Sequence, residues 1–103
     1  MNKIRIDNVN YLMLDLTFDV IEEDTLAYSE EAQIIVVFNK SAIKVWEYIK
    51  EASLKKRDIF SFEICEMLMS EYNLKSEQYM EISADVSDIL LDFIGGGVLV
   101  ANT

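Results

Sequence analysis

The chain has 103 residues, enough for one domain around one core and too few for two, so residues 1–103 are expected to form a single unit. A hydrophobic content of 51% with 11% aromatics argues against disorder, while the longest apolar run stays far below the roughly 18 residues of a membrane span. The net charge of −10, from 19 acidic and 9 basic residues, repels phosphate backbones and anionic membranes and favours basic or mixed-charge partners, although the same charge also serves plain solubility.

Residues 1–10 are polar and read as a weakly ordered segment or an appended edge. Residues 11–21 alternate at Leu12, Leu14, Leu16, Phe18 and Val20, the period of a half-buried strand. Glu22-Glu23-Asp24 breaks the pattern as a turn. A hairpin follows, with strands at 26–29 and 33–38 around a polar turn at 29–32. The second of these strands is apolar at every position from Ile34 to Val37, so it offers apolar side chains to both faces of its sheet. A chain this short has little material to cover both, and an apolar strand near a sheet edge invites something else to pair with it.

Three helices complete the chain. The first is expected over 41–52, capped near Asn39 or Ser41, with Ala42, Val45, Trp46 and Ile49 on its core face. The connector after it holds Lys55-Lys56-Arg57, the one cationic cluster of the sequence. The second helix spans 61–72, with Ser61 as a candidate N-cap and Ile64, Cys65, Leu68, Met69 and Tyr72 as its apolar stripe. After a turn at 73–76 the third begins near Ser76 or Glu77 and runs to Ile94. Gly95-Gly96-Gly97 stops it, and Val98-Leu99-Val100 packs back as a short extended tail. The fold class is therefore α+β, a three-stranded antiparallel sheet followed by three helices.

The third helix has an unusually wide nonacidic arc. Tyr79, Ile82, Val86, Ile89, Leu90 and Phe93 cluster on one side, and Met80, Ser83, Ser87, Leu91 and Ile94 extend them round a second flank. The arc is roughly twice as wide as one packing contact needs. Either two neighbouring elements cover it, or one flank lines a groove whose floor is kept low by Ser83 and Ser87.

Chemistry is limited by what the sequence lacks. Without histidine and with one cysteine, it has no His-based acid–base pair, no Cys–His dyad, no internal disulfide and no ordinary zinc set. The three glycines follow a helix, whereas phosphate-cradling loops precede one. No spacing of Asp and Glu picks out a catalytic pair or a calcium loop. Cys65 lies on an apolar stripe beside Glu63 and Glu66, the setting of a buried hydrophobe rather than a reactive thiol. The start of the chain is too interrupted by charge for a signal peptide, so a cytoplasmic protein with neither catalysis nor cofactor is expected.

The passage Val37-Phe38-Asn39-Lys40-Ser41-Ala42-Ile43-Lys44-Val45-Trp46, leading from an apolar strand into a helix, resembles the PqqD family of precursor-peptide recognition domains. That family opens its first helix with Leu-Asn-x-Thr-Ala-x-x-Ile-Trp; here Phe38, Ser41 and Val45 replace the leucine, threonine and isoleucine. The likeness continues through the amphipathic stretch from Ile64 to Tyr72, then Asp85-Val86, Phe93-Ile94 and Gly97-Val98-Leu99. It covers residues 25–100. The triple glycine, the charged connector at 53–59 and the long N-terminal segment depart from the family pattern.

The resemblance implies a winged-helix-like fold and a binding role. A leader peptide of a ribosomally synthesised, post-translationally modified precursor would add as a strand and be presented to a maturation enzyme, such as a radical SAM protein or a leader peptidase. Carried onto this chain, the template is Gln33, Ile34, Ile35, Val36 and Val37, and the opposing wall Met80, Ser83, Ser87 and Leu91. An acidic adaptor that docks an enzyme without binding a leader is the alternative. A winged-helix DNA binder is disfavoured, because the third helix carries Glu77, Glu81, Asp85, Asp88 and Asp92 and no basic residue.

Overall fold

The computed structural model describes residues 2–102. Strands β1 (Asn2–Ile6) and β2 (Val9–Met13) form a tight hairpin. Its turn residues Asp7 and Asn8 have φ of 49° and 66°, the paired left-handed conformations that match the twist of a two-residue hairpin. Near the C-terminus, β6 (Leu99–Ala101) pairs antiparallel with the other side of β2, giving a sheet ordered β1-β2-β6. Strands β3 (Thr17–Ile21), β4 (Asp24–Ser29) and β5 (Ile34–Phe38) make a second antiparallel sheet in that order. The α+β class and the strand-then-helix order are as expected, but there are two three-stranded sheets rather than one.

The difference lies in the first 21 residues. Residues 2–6 are ordered as β1, with Ile4 and Ile6 buried between exposed Lys3 and Arg5. The expected strand over 11–21 is divided between the sheets. The Leu14 N–H donates to the Val98 carbonyl, and the chain then leaves the first sheet and starts β3 at Thr17. Because β2 is held between β1 and β6, Met13 points into the core at 2% exposure, out of phase with the alternation of leucines.

Helix α1 (Lys40–Leu54) starts on Asn39, whose side-chain oxygen accepts the Ala42 N–H at 2.8 Å. Helix α2 (Ser61–Glu71) starts one residue earlier than expected: Phe60 is the N-cap, its N–H donating to Glu63 Oε1 at 3.1 Å. Ser61 is instead tied to the β1–β2 turn, its N–H donating 2.8 Å to Asp7 Oδ1 and its hydroxyl bonding Oδ2. A single 3₁₀ turn (Ser76–Gln78) leads into α3 (Tyr79–Gly95).

Each helix ends in the same paired motif, with a left-handed residue just past its last turn. After α3, Gly97 at φ 78° donates to Ile94 and Val98 donates to Phe93. Asn73 plays that part after α2, and Lys56, with φ 54°, after α1. The core is one contiguous cluster that draws Ile4, Ile6, Met13 and Leu99 from the first sheet and Ala27 and Phe38 from the second. The expected α1 face (Ala42, Val45, Trp46 and Ile49) is buried within it. No helix of the described residues is long and apolar enough to cross a membrane.

Candidate functional site

Among the described residues strand β5 pairs with β4 on one side only, which leaves its other edge open. Alternate residues of an edge strand turn their N–H and C=O groups outward, and those groups form a template for a further strand. The register pairs Thr25 with Phe38, Ala27 with Val36 and Ser29 with Ile34, so these side chains face inward. Ile35 and Val37 point the other way and are 72% and 63% exposed. The two-sided apolar character read from the sequence is thus a real surface: one row packs inward, and the other meets solvent beside Leu26 and Tyr28.

A groove of about 320 Å³ lies against this edge. One wall is Val36, Val37 and Phe38, continuing into Asn39 and Ala42 at the start of α1; the other is Ile89, Asp92 and Phe93 of α3, with Val98 beyond. Residues from both faces of β5 line it, so it opens at the strand edge. Beneath it the aromatic rings interlock: Phe38 lies 5.0 Å from Phe93 and 6.0 Å from Trp46, and Trp46 meets Phe93 edge-on at 5.3 Å between centroids. Phe38 and Phe93 thus give the groove an aromatic base, backed in the core by Trp46.

Glycines at the end of α3 set how close the helix comes to β5. A Cβ on Gly96 would stand 3.0 Å from Val36 Cγ1, and one on Gly97 3.0 Å from Ile34 Cδ1. Gly97 also needs its positive φ, so it serves both the helix stop and the close approach. Asp92 is the one charged residue lining the groove. Asp88, four residues back, and Asp85, seven back, share its side of the helix, so an acidic stripe runs from the groove along α3.

The expected binding residues separate into three groups. Val36 and Val37 line the groove, and Ile34 and Ile35 belong to the same strand. Gln33 is outside β5, in the turn at φ 56°, with its N–H donated to the Glu30 carbonyl. Met80, Ser83, Ser87 and Leu91 do not border the groove. Met80 is 83% exposed near the start of α3. Ser83 lies beside Cys65, whose thiol pKa is pushed up by burial. Ser87 and Leu91 line a separate pocket of about 180 Å³ with Ile6, Val9, Tyr11 and Leu99. Of the flank assigned to the groove, only Ser87 and Leu91 border the first sheet, and α3 turns Ile89, Asp92 and Phe93 toward β5. Ile89, Asp92 and Phe93 are absent from the expected wall; the local signal for Asp92 and Phe93 is their place one turn before the Gly96–Gly97 stop.

Among the described residues no group of three or more His, Cys, Asp or Glu is placed to hold a metal ion. Comparison with protein-family models, with curated proteins and with solved structures gives no match for this chain.

Proposed function

We propose that this protein is a PqqD-like recognition domain that binds the leader of a ribosomally made precursor peptide and presents it to a maturation enzyme. The leader adds as a strand to the open edge of β5, and its inward side chains enter the groove between β5 and α3. One observation carries this reading: an unpaired apolar strand edge and an aromatic-floored groove lie side by side.

Magnitudes say which contacts matter. A five-residue template offers two or three residues to a new strand, or about four main-chain hydrogen bonds at about 0.5–1.5 kcal/mol each. Micromolar affinity needs about 8 kcal/mol, and ordering the peptide adds a further cost. Main-chain pairing is therefore insufficient, and apolar leader side chains in the groove supply the remainder.

The test is titration of this protein with the leader of the precursor encoded nearest to it, read by fluorescence anisotropy. Saturable binding in the micromolar range or tighter supports the proposal. Binding to the maturation enzyme with no affinity for the leader supports the adaptor reading instead.

A further inference from the structure

The Lys55-Lys56-Arg57 connector has no part in the groove, yet the fold gives it company. Strand β1 brings Lys3 and Arg5 alongside, and a cleft of about 680 Å³ opens between β1 and the turn after α1, lined by Lys3, Arg5, Lys56 and Arg57. Four of the nine basic residues of a chain of net charge −10 thus line one cleft, with Asp58 its one acid. Arg5 lies 4.0 Å from Asp58, and Arg57 is 3.2 Å from Glu63; Lys3 and Lys56 have no ion-pair partner among the described residues.

We infer that this cleft is a docking site for an extended acidic segment of a protein partner. Lys3 and Arg5 are two apart on one face of β1, a spacing of about 6.6 Å, and an extended chain with acids at alternate positions repeats its carboxylates at the same interval. The cleft is far larger than a single small anion needs and falls within the roughly 300–1,000 Å³ of ligand-sized clefts. Asn10 and Asn102 add amide groups that suit a peptide main chain. The negative field of the chain opposes any anionic occupant, so the match has to be local. A lining of four cations and one acid, net +3, suits a segment with two or three carboxylates, whereas a duplex would lay a continuous run of phosphates against the acidic surface around it.

Lys56 holds the left-handed position that ends α1, where glycine avoids a cost of about 1 kcal/mol. Glu22 and Gln33 hold such positions elsewhere, so the conformation guides the choice of test variant and is not itself a mark of the site. The cleft shares no lining residue with the β5 groove. Ala42 of α1 lines the groove and Ser53 the cleft, eleven residues apart (42 to 53) or about 16 Å along the helix. Both sites can be filled at once, and this inference stands independently of the leader-binding reading.

The test uses the isotope-labelled full chain in amide-detected NMR at low ionic strength. Three probes are titrated: a decapeptide of alternating Glu and Thr, inorganic phosphate, and a short DNA duplex. The peptide is expected to give saturable shifts at Lys3, Arg5, Lys56 and Arg57 while leaving Val36, Ile89 and Phe93 unmoved. In the double variant Lys3→Ser, Lys56→Gly the peptide affinity should fall roughly fivefold, the scale of two exposed charge contacts. Because Lys56→Gly relieves the turn, the variant should melt no lower than the parent, which separates lost docking from lost folding. The inference is overturned if the peptide gives no saturable shift, if the double variant binds it equally well, if phosphate reproduces the same shifts at the same concentration, or if the duplex binds more tightly. Shifts confined to the groove would also overturn it.

Discussion

Consecutive residues of a strand direct their N–H groups to opposite edges, so Val36→Pro and Val37→Pro should have different effects. One N–H belongs to the β4–β5 ladder and the other faces the open edge. Proline in the ladder position removes one bond, leaves a β4 carbonyl bare and forces a ring against the neighbour, together about 2–3 kcal/mol. For a domain of this size that lowers the melting temperature by roughly 10–20 °C. Proline at the edge position breaks no internal bond, so stability should stay within about 1 kcal/mol of the parent. Leader affinity should nevertheless fall at least about fivefold, from a lost donor and a ring that holds the incoming strand away. Thermal circular dichroism gives the first quantity, and anisotropy with a labelled leader the second. Strand addition is refuted if both variants fold and bind the leader as the parent does.

On α3, Asp92→Arg should alter leader binding with little effect on folding, whereas Ser87→Arg and Leu91→Asp, on the flank toward the first sheet, should leave it unchanged; Val86→Asp, which places an unpaired charge at a fully buried position, should unfold the domain as seen by circular dichroism. Gly97→Ala should cost about 1–2 kcal/mol in denaturant unfolding, because it combines a positive φ with a Cβ 3.0 Å from Ile34 Cδ1. Cys65 should resist alkylation in the native protein and react on unfolding. Burial raises its folded pKa above the unfolded value, so its contribution to stability is complete below the unfolded thiol's range and is lost as pH rises through the folded pKa; urea melts from neutral to alkaline pH would register this. If the acidic surface steers a basic partner, stopped-flow association rates should fall with added salt while dissociation stays nearly constant; an association rate indifferent to salt would assign the charge to solubility.

The helices were legible because their signals are local. Asn39 at the first N-cap, the spacing of Ala42, Val45, Trp46 and Ile49, and the glycines after α3 each act within a few residues. The hairpin β4–β5 was legible for the same reason. The β1–β2 hairpin has local signals of its own, the alternation of Lys3-Ile4-Arg5-Ile6 and the two-residue turn Asp7-Asn8, but its place in a three-stranded sheet depends on the return of β6 at residues 99–101. The rotation of α3 depends on those same long-range pairings. Once the first sheet occupies the Ser87–Leu91 side, the contacts of Gly96 and Gly97 with Val36 and Ile34 bring the opposite flank to β5. The wide nonacidic arc left open whether neighbours cover it or one flank lines a groove; Ile89 and Phe93 of its first side meet the groove, while Met80 and Leu91 of the second flank stay largely exposed.

The most direct test of leader binding at β5 is amide hydrogen exchange on the complex, combined with intermolecular nuclear Overhauser contacts to a labelled leader. Strand addition predicts that alternate amides of Ile34–Phe38 gain protection when the leader binds. Leader Hα protons should then contact β5, and leader side chains should contact Ile89 and Phe93. A leader that binds with the open-edge amides of β5 exchanging as fast as in the free protein, and with contacts only elsewhere on the molecule, contradicts it.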